Sequence, residues 1–171
     1  MLRSDRHAET PTFPGLHAGK VEQVDGQGRV KATVPSVFDK DAPEMSVWAR
    51  PCFPYGHFFV PEPGDLVWIA FEGGDPQAPV WLGSWYPQGS VPSEAQADPP
   101  RKRVIRSSSG HLIVLDDTHG KERLVLADAT GSRIELSGNG VTITCAGDLT
   151  IDATGKTVSI LAKLVKIEKK G

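Results

Sequence analysis

The chain has 171 residues, 39% of them hydrophobic, and its 21 acidic and 19 basic side chains give a formal net charge of −2. This composition excludes a disordered chain and a strongly basic nucleic-acid binder, and the length fits one or two compact domains. No run approaches 18 apolar residues and the first ten residues hold no apolar stretch, so we expect neither a membrane span nor a secretory signal peptide.

The first half of the chain predicts short strands separated by glycine and proline turns. Residues 20–24 and 29–34 alternate apolar and polar side chains around Asp25-Gly26-Gln27-Gly28, which predicts a β-hairpin. Residues 37–45 carry no assignable pattern. Because helical periodicity is lacking throughout this half, the strands favour a small closed barrel. The remaining predicted strands are 47–50, 65–71 and 79–86.

The composition changes near residue 100 and predicts a domain boundary. The prolines end at Pro100, while glycines continue through the second half. Residues 90–100 offer little that could be buried, which is typical of an extended linker. We therefore divide the chain into an N-terminal arm (1–15), a barrel (16–89), a linker (90–102) and a repeat region (103–171).

The repeat region alternates apolar and polar residues in short segments about eight residues apart. Such segments cannot bury an apolar face within one chain unless the strands meander or stack. One solution is a single-chain solenoid or meander, and the other is an intertwined homotrimer in which each chain forms one wall of a triangular prism. Eight residues supply one face only, whereas a single-chain coil needs about 18, so the trimer is favoured. The segments are 112–115, 124–126, 132–136, 141–145, 149–153, 158–161 and 165–168.

In the trimer, the apolar positions of the later segments would meet at the threefold axis. Lysines dominate the polar positions of the last fifteen residues, where they would face water or be attracted to anionic lipid. The predicted axial residues are Val141, Ile143, Leu149, Ile151, Val158, Ile160, Val165 and Ile167.

Two motifs in the predicted barrel are specific enough to indicate a protein family. The first is Pro63-Gly64-Asp65-x-Val67, and the second is Phe71-x-x-Gly74-Asp75-Pro76-x-x-Pro79-Val80-x-x-Gly83. Together with residues 19–35 and 48–51, they resemble the oligonucleotide/oligosaccharide-binding (OB) domain of phage baseplate assembly protein V and of the related valine-glycine-repeat spikes of contractile injection systems. The resemblance covers residues 16–88, and the region after them looks like the family's trimeric β-helical needle.

The resemblance implies an all-β chain with an N-terminal OB-fold barrel and a C-terminal intertwined trimeric β-helix, or β-prism. It also implies a function without catalysis: the homotrimeric central spike of a contractile tail or injection particle, assembled in the bacterial cytoplasm, which pierces a target envelope. Within the barrel it implies a structural role for the motif residues Gly64, Asp65, Gly74, Asp75, Pro76, Pro79 and Gly83.

The resemblance further implies a set of partners. A tail hub protein and other baseplate proteins would contact the OB end, and contact with the target membrane would be transient. The lysozyme domain and the His-x-His iron-binding tip of some relatives are both missing from this sequence. We therefore expect a separate tip protein of the proline-alanine-alanine-arginine repeat (PAAR) type, contacting Lys169, Lys170 and Gly171.

The alternative is a monomeric OB-fold module that binds single-stranded nucleic acid or glycan. Exposed aromatic residues in the barrel would stack on bases. However, residues 1–90 hold 7 basic and 11 acidic side chains, so we expect packing and no nucleic acid. Residues 52–60 are unusually apolar for a loop, which predicts burial against another subunit. The aromatic residues considered are Trp48, Phe53, Tyr55, Phe58, Phe59 and Trp68.

No catalytic, cofactor or metal site is predicted. Asp116, Asp117 and Asp128 are the carboxylates considered for a glycosidase or metal site. Asp116 and Asp117 are adjacent on a strand and would point to opposite faces, so they do not form a glycosidase pair, and Thr118-His119-Gly120 beside them is typical of a solvated turn. His111 and His119 are eight residues apart, but Leu112 and Val114 are better candidates for the axis. Cys52 and Cys145 lack the spacing of a metal site.

Overall fold

The computed structural model describes residues 11–39 and 41–169. In these residues the chain is all-β, with ten strands, two short 3₁₀ turns and no α-helix. None of their helical turns has the length or apolar character to cross a membrane. The chain divides into two compact units, Met1–Val91 and Pro92–Gly171.

The first unit is a closed five-stranded sheet. Its strands pair in the order β2-β1-β4-β5-β3, and only the β3–β5 pair is parallel. Val30 and Ala49 exchange backbone hydrogen bonds of 3.1 and 2.8 Å, which join β2 to the residue preceding β3 and close the ring. This order is that of a five-stranded Greek-key barrel. The strands are β1 (Leu16–Val24), β2 (Val30–Thr33), β3 (Arg50–Pro51), β4 (Leu66–Phe71) and β5 (Pro79–Ser84).

The barrel core explains the segment that the sequence left unassigned. Met45 is fully buried, and its amide donates a 2.9 Å hydrogen bond to the carbonyl of Ala32 in β2. The amide of Val34 donates to the carbonyl of Pro43 at 2.8 Å. Residues 34–39 and 41–45 therefore fold back along β2 and complete the core. The core residues are Val21, Val30, Ala32, Val34, Met45, Ala49, Val67, Ile69, Phe71 and Trp81.

The apolar loop after β3 packs on its own barrel. The ring of Phe53 meets Trp81 edge to face at 4.7 Å and lies 6.1 Å from the ring of Phe58. These contacts give part of the loop a packing partner within the chain. Tyr55, Phe58 and Phe59 remain exposed, and their burial against another subunit stays a prediction.

Gly28 is the position at which this loop, the β1–β2 turn and the core meet. Its carbonyl accepts a 2.9 Å hydrogen bond from the buried Trp81 indole. A Cβ at Gly28 would lie 3.0 Å from the Phe58 ring and 3.1 Å from Val60, and its φ is +73°. The site therefore requires glycine for both space and backbone conformation.

We expect Gly28→Ala to lower the free energy of unfolding of the barrel by about 1–3 kcal/mol, through overpacking and a strained φ. Urea denaturation followed by tryptophan fluorescence measures the change. Gly26→Ala, in the same turn with open space around its Cβ, is the matched control and should have little effect. Equal losses from the two variants would contradict the proposed role of Gly28.

The second unit contains an antiparallel meander in which the strands pair in sequence order. The turn between its third and fourth strands is organised by Asp128, whose Oδ1 accepts hydrogen bonds of 2.8–2.9 Å from the amides of Thr130, Gly131 and Ser132. The Thr130 hydroxyl and these amides lower the pKa of Asp128. Asp128 is therefore a turn residue, which the sequence analysis did not identify. The strands are β6 (Lys102–Arg106), β7 (Leu112–Asp116), β8 (Arg123–Ala127), β9 (Arg133–Ser137) and β10 (Gly140–Thr144).

The described residues after Thr144 contain no strand in the single chain. The strands predicted at 149–153, 158–161 and 165–168 are thus not formed here, because these segments have no neighbouring strand to pair with. Their side chains are almost all exposed. The meander of the second unit therefore ends at β10.

Candidate assembly surface

The two faces of the β6–β10 sheet differ sharply in chemistry. The strand register aligns Ile105, Ile113, Leu126, Ile134 and Ile143 in one row across all five strands. A second row on the same face crosses β7 to β10. We call these nine residues the apolar face, and its second row consists of Leu115, Leu124, Leu136 and Val141.

The apolar face is open in the single chain. Ile143 is 57% exposed and Leu126 is 47% exposed. The first row lines a groove of about 570 Å³, to which Leu149 also contributes. A patch this continuous is unusual on a monomeric soluble protein and marks an interaction site.

The opposite face of the sheet, which we call the charged face, carries matched charges around the buried Val114 and Val125. The Arg123 guanidinium lies 3.6 Å from a carboxylate oxygen of Asp116 and 4.0 Å from one of Glu135, which also pairs with Arg133. Asp116 is only 5% exposed. Hydrogen bonds from Thr118, together with the charges of Lys102 and Arg123, lower the pKa of Asp116.

The charged face is therefore suited to water, because its buried carboxylate has partners within the chain. Among the described residues, by contrast, most side chains of the apolar face are left exposed.

The eight predicted axial residues are exposed in the single chain. Val141 and Ile143 belong to the apolar face, where the register sets them beside Leu136 and Ile134. The other six lie beyond β10, and the single chain does not bring them together. Their exposure ranges from 49% for Val158 to 95% for Ile167. Their axial position remains a prediction.

The strand register contradicts the choice of Leu112 and Val114 as axial candidates, and it adds residues to the face that holds Val141 and Ile143. Leu112 and Val114 lie on the charged face, opposite Ala127 and Val125 of β8, so they cannot share one face with Ile143. A one-residue change of phase reverses every side chain of a strand, which the sequence of β7 alone does not reveal. The seven apolar-face residues before β10 were not among the predicted axial residues, although their alternation was visible.

The OB motif residues shape the turns around β4 and β5. Asp65 accepts a 2.8 Å hydrogen bond from the Glu62 amide, and Asp75 accepts one of 2.9 Å from the Gln77 amide. Gly64, Gly74 and Gly83 have positive φ values. Pro76 lies in the β4–β5 turn, and Pro79 is buried at the start of β5. Each residue therefore has a local structural contact or conformation.

The remaining candidates do not converge. His111 Nδ1 lies 3.3 Å from the Ala129 amide and accepts its hydrogen, whereas His119 lies beside Glu122. The described residues contain no group of three His, Cys, Asp or Glu side chains able to hold a metal ion. Lys169 is exposed, and the other two predicted tip contacts, Lys170 and Gly171, lie outside the described residues.

Comparisons with known families match both units. Residues 17–86 match the type VI secretion system/phage-baseplate injector OB domain. Residues 102–165 match the phage baseplate V C-terminal trimerisation domain. A comparison with curated proteins finds no match. The chain therefore belongs to the phage baseplate V family of structural spike proteins, with an injector OB domain followed by a C-terminal trimerisation domain.

Proposed function

We propose that this protein is the central spike of a contractile tail or injection-system baseplate, a homotrimeric needle that pierces the target envelope. The observation that carries the proposal is the exposed apolar face, which lies within the residues matched by the trimerisation domain. The apolar pairs at 149/151, 158/160 and 165/167 continue it along the chain. Three copies of the chain would cover these residues at a shared axis.

Burial at that axis is the source of stability. Moving a half-exposed Ile or Leu side chain from water into a packed core contributes roughly 1 kcal/mol, at about 25 cal/mol per Å² of apolar area. Each chain offers nine Ile, Leu and Val side chains on the apolar face and six beyond β10. The sum over three chains makes a needle that resists unfolding under load.

The charged face and the strand edges fit the same arrangement. With the apolar face inward, Arg123, Arg133 and Glu135 would lie on the outside of the needle, where water stabilises them. In an intertwined prism, residues 145–169 would find strand partners on the other two chains. Few strand edges would then remain free.

The partners follow from the two ends of the chain. Exposed Tyr55 and Phe59 give the OB domain an aromatic contact for the tail hub, since such residues are enriched in protein interfaces. A PAAR-type tip protein would bind at the C-terminal end near Lys169. The lysines there would also favour brief contact with an anionic target membrane.

Native mass spectrometry of the full chain, alone and mixed with a PAAR-type tip protein, tests the proposal. We expect a species of three times 18.4 kDa, and in the mixture the same species with one tip protein added. A stable single chain of 18.4 kDa would overturn the spike assignment. A trimer that does not bind the tip protein would contradict the proposed tip contact and leave the spike assignment standing.

A further inference from the structure

A cleft on the barrel has the composition of a ligand site. It has a volume of about 480 Å³ and is lined by the end of the β1–β2 turn, the segment before β3, the start of β3 and the β4–β5 turn. In OB folds oligonucleotides and oligosaccharides bind on the face of strands 2 and 3 and on the loops that correspond to these two turns, so the cleft lies at the loop end of that region. The lining residues include Arg29, Ser46, Trp48, Arg50 and Gln77.

Cations surround the only aromatic side chain among the cleft's lining residues. The Arg29 guanidinium carbon is 5.9 Å from the centre of the Trp48 ring, and the Lys31 Nζ is 5.5 Å from it. Arg50 also lines the cleft. The negative charge of the first half as a whole therefore conceals a local basic cluster around Trp48, which the sequence did not reveal.

These cations are available to a ligand. Arg50 pairs with Glu72 at 2.6 Å, and both side chains are exposed enough for this pair to contribute only about 0–1 kcal/mol. Arg29 is held more firmly, because its Nε pairs at 2.6 Å with Asp25, whose side chain is only 20% exposed. Among the described residues, no carboxylate lies within ion-pair distance of Lys31. An anionic ligand can thus replace Glu72 at little cost and can reach the terminal nitrogens of Arg29, since Asp25 engages only its Nε and its backbone amide.

We propose that this cleft binds an acidic oligosaccharide. The Trp48 ring would stack on the apolar face of one sugar, and the planar guanidinium groups of Arg29 and Arg50 would each donate two hydrogen bonds to a sugar carboxylate or phosphate. Ser46 and Gln77 supply polar groups for hydroxyls. The cleft volume lies within the 300–1,000 Å³ typical of small-ligand sites.

Single-stranded nucleic acid fits the cleft less well. Strands of nucleic acid are held by successive aromatic platforms along a continuous basic groove. Here the lining has one aromatic residue, and Asp25 and Glu72 lie beside two of its cations. Trp68 packs against Trp85 at 5.7 Å and does not line this cleft.

Calorimetric titration of the full chain with tetragalacturonate, maltotetraose and the oligonucleotide dT8 tests the proposal. We expect binding of the acidic tetrasaccharide, weakened by added salt, and no binding of its neutral counterpart. Arg29→Gln and Arg50→Gln should each lower the affinity by roughly tenfold, because each removes a charge-assisted contact. Lys121→Gln, in the β7–β8 turn, is the matched control and should leave the affinity unchanged.

Trp48→Ala should abolish binding. Trp48 is half-buried, so if this variant does not fold, the two charge variants still test the proposal. The proposal is wrong if tetragalacturonate does not bind, if maltotetraose binds equally well, or if dT8 binds more tightly. It does not depend on the spike assignment. A monomeric chain that binds the acidic sugar would refute the spike and retain this site.

Discussion

Ile151→Asp is expected to leave the protein as single chains of 18.4 kDa. Ile151 is 68% exposed in the single chain, so the change does not disturb the fold of either unit. In the proposed trimer, however, three carboxylates would be buried close together, each without a partner, and several kcal/mol of assembly energy would be lost. Size-exclusion chromatography with light scattering measures the mass.

Thr150→Asp is the matched control for this variant. Thr150 neighbours Ile151 and is exposed as well, but the alternation of a strand would direct it outward. This variant should therefore remain trimeric. Trimers from Ile151→Asp, or single chains from both variants, would show that Ile151 has no special axial position.

When the two units are produced as separate fragments, we expect both to be stable but only the second to assemble. Residues 1–91 should fold as a monomer, because their core is buried within the unit itself. Residues 92–171 should form trimers by themselves, because their apolar face is exposed in the single chain. Circular dichroism reports the fold of each fragment, and light scattering reports its mass.

This prediction contrasts the two fragments directly. A tight trimer formed by residues 1–91 would place the assembly surface on the barrel and contradict its assignment to the apolar face. A second fragment that is monomeric and unfolds cooperatively would also contradict that assignment.

Strand alternation and turn chemistry were sufficient to predict most of the barrel. The hairpin around Asp25 and Gly28 and the strands after Gly64 and Asp75 all carry local signals, namely polar alternation and glycine or Asx turns. Residues 37–45 carry none, because Met45 is held by a backbone bond to Ala32 and by the core, both of which depend on distant residues.

The assembly surface was only partly predictable for a related reason. The alternation of Val141 and Ile143 marks two apolar positions, but the rows of the apolar face exist only once the register of five strands is known. The basic cleft was missed because charge was averaged over residues 1–90. Arg29, Lys31 and Arg50 come together around Trp48 only after the ring closes at Val30 and Ala49.

The closed barrel core also bears on how the protein is made. The N-terminal unit leaves the ribosome first and has every contact it needs, so it can fold before synthesis is complete. The C-terminal unit must wait for two other chains, and its formation depends on their concentration. Meanwhile its apolar face and the edge of β10 are open to the wrong partners. Chains translated close together on one messenger would shorten that interval and protect the yield of intact needles.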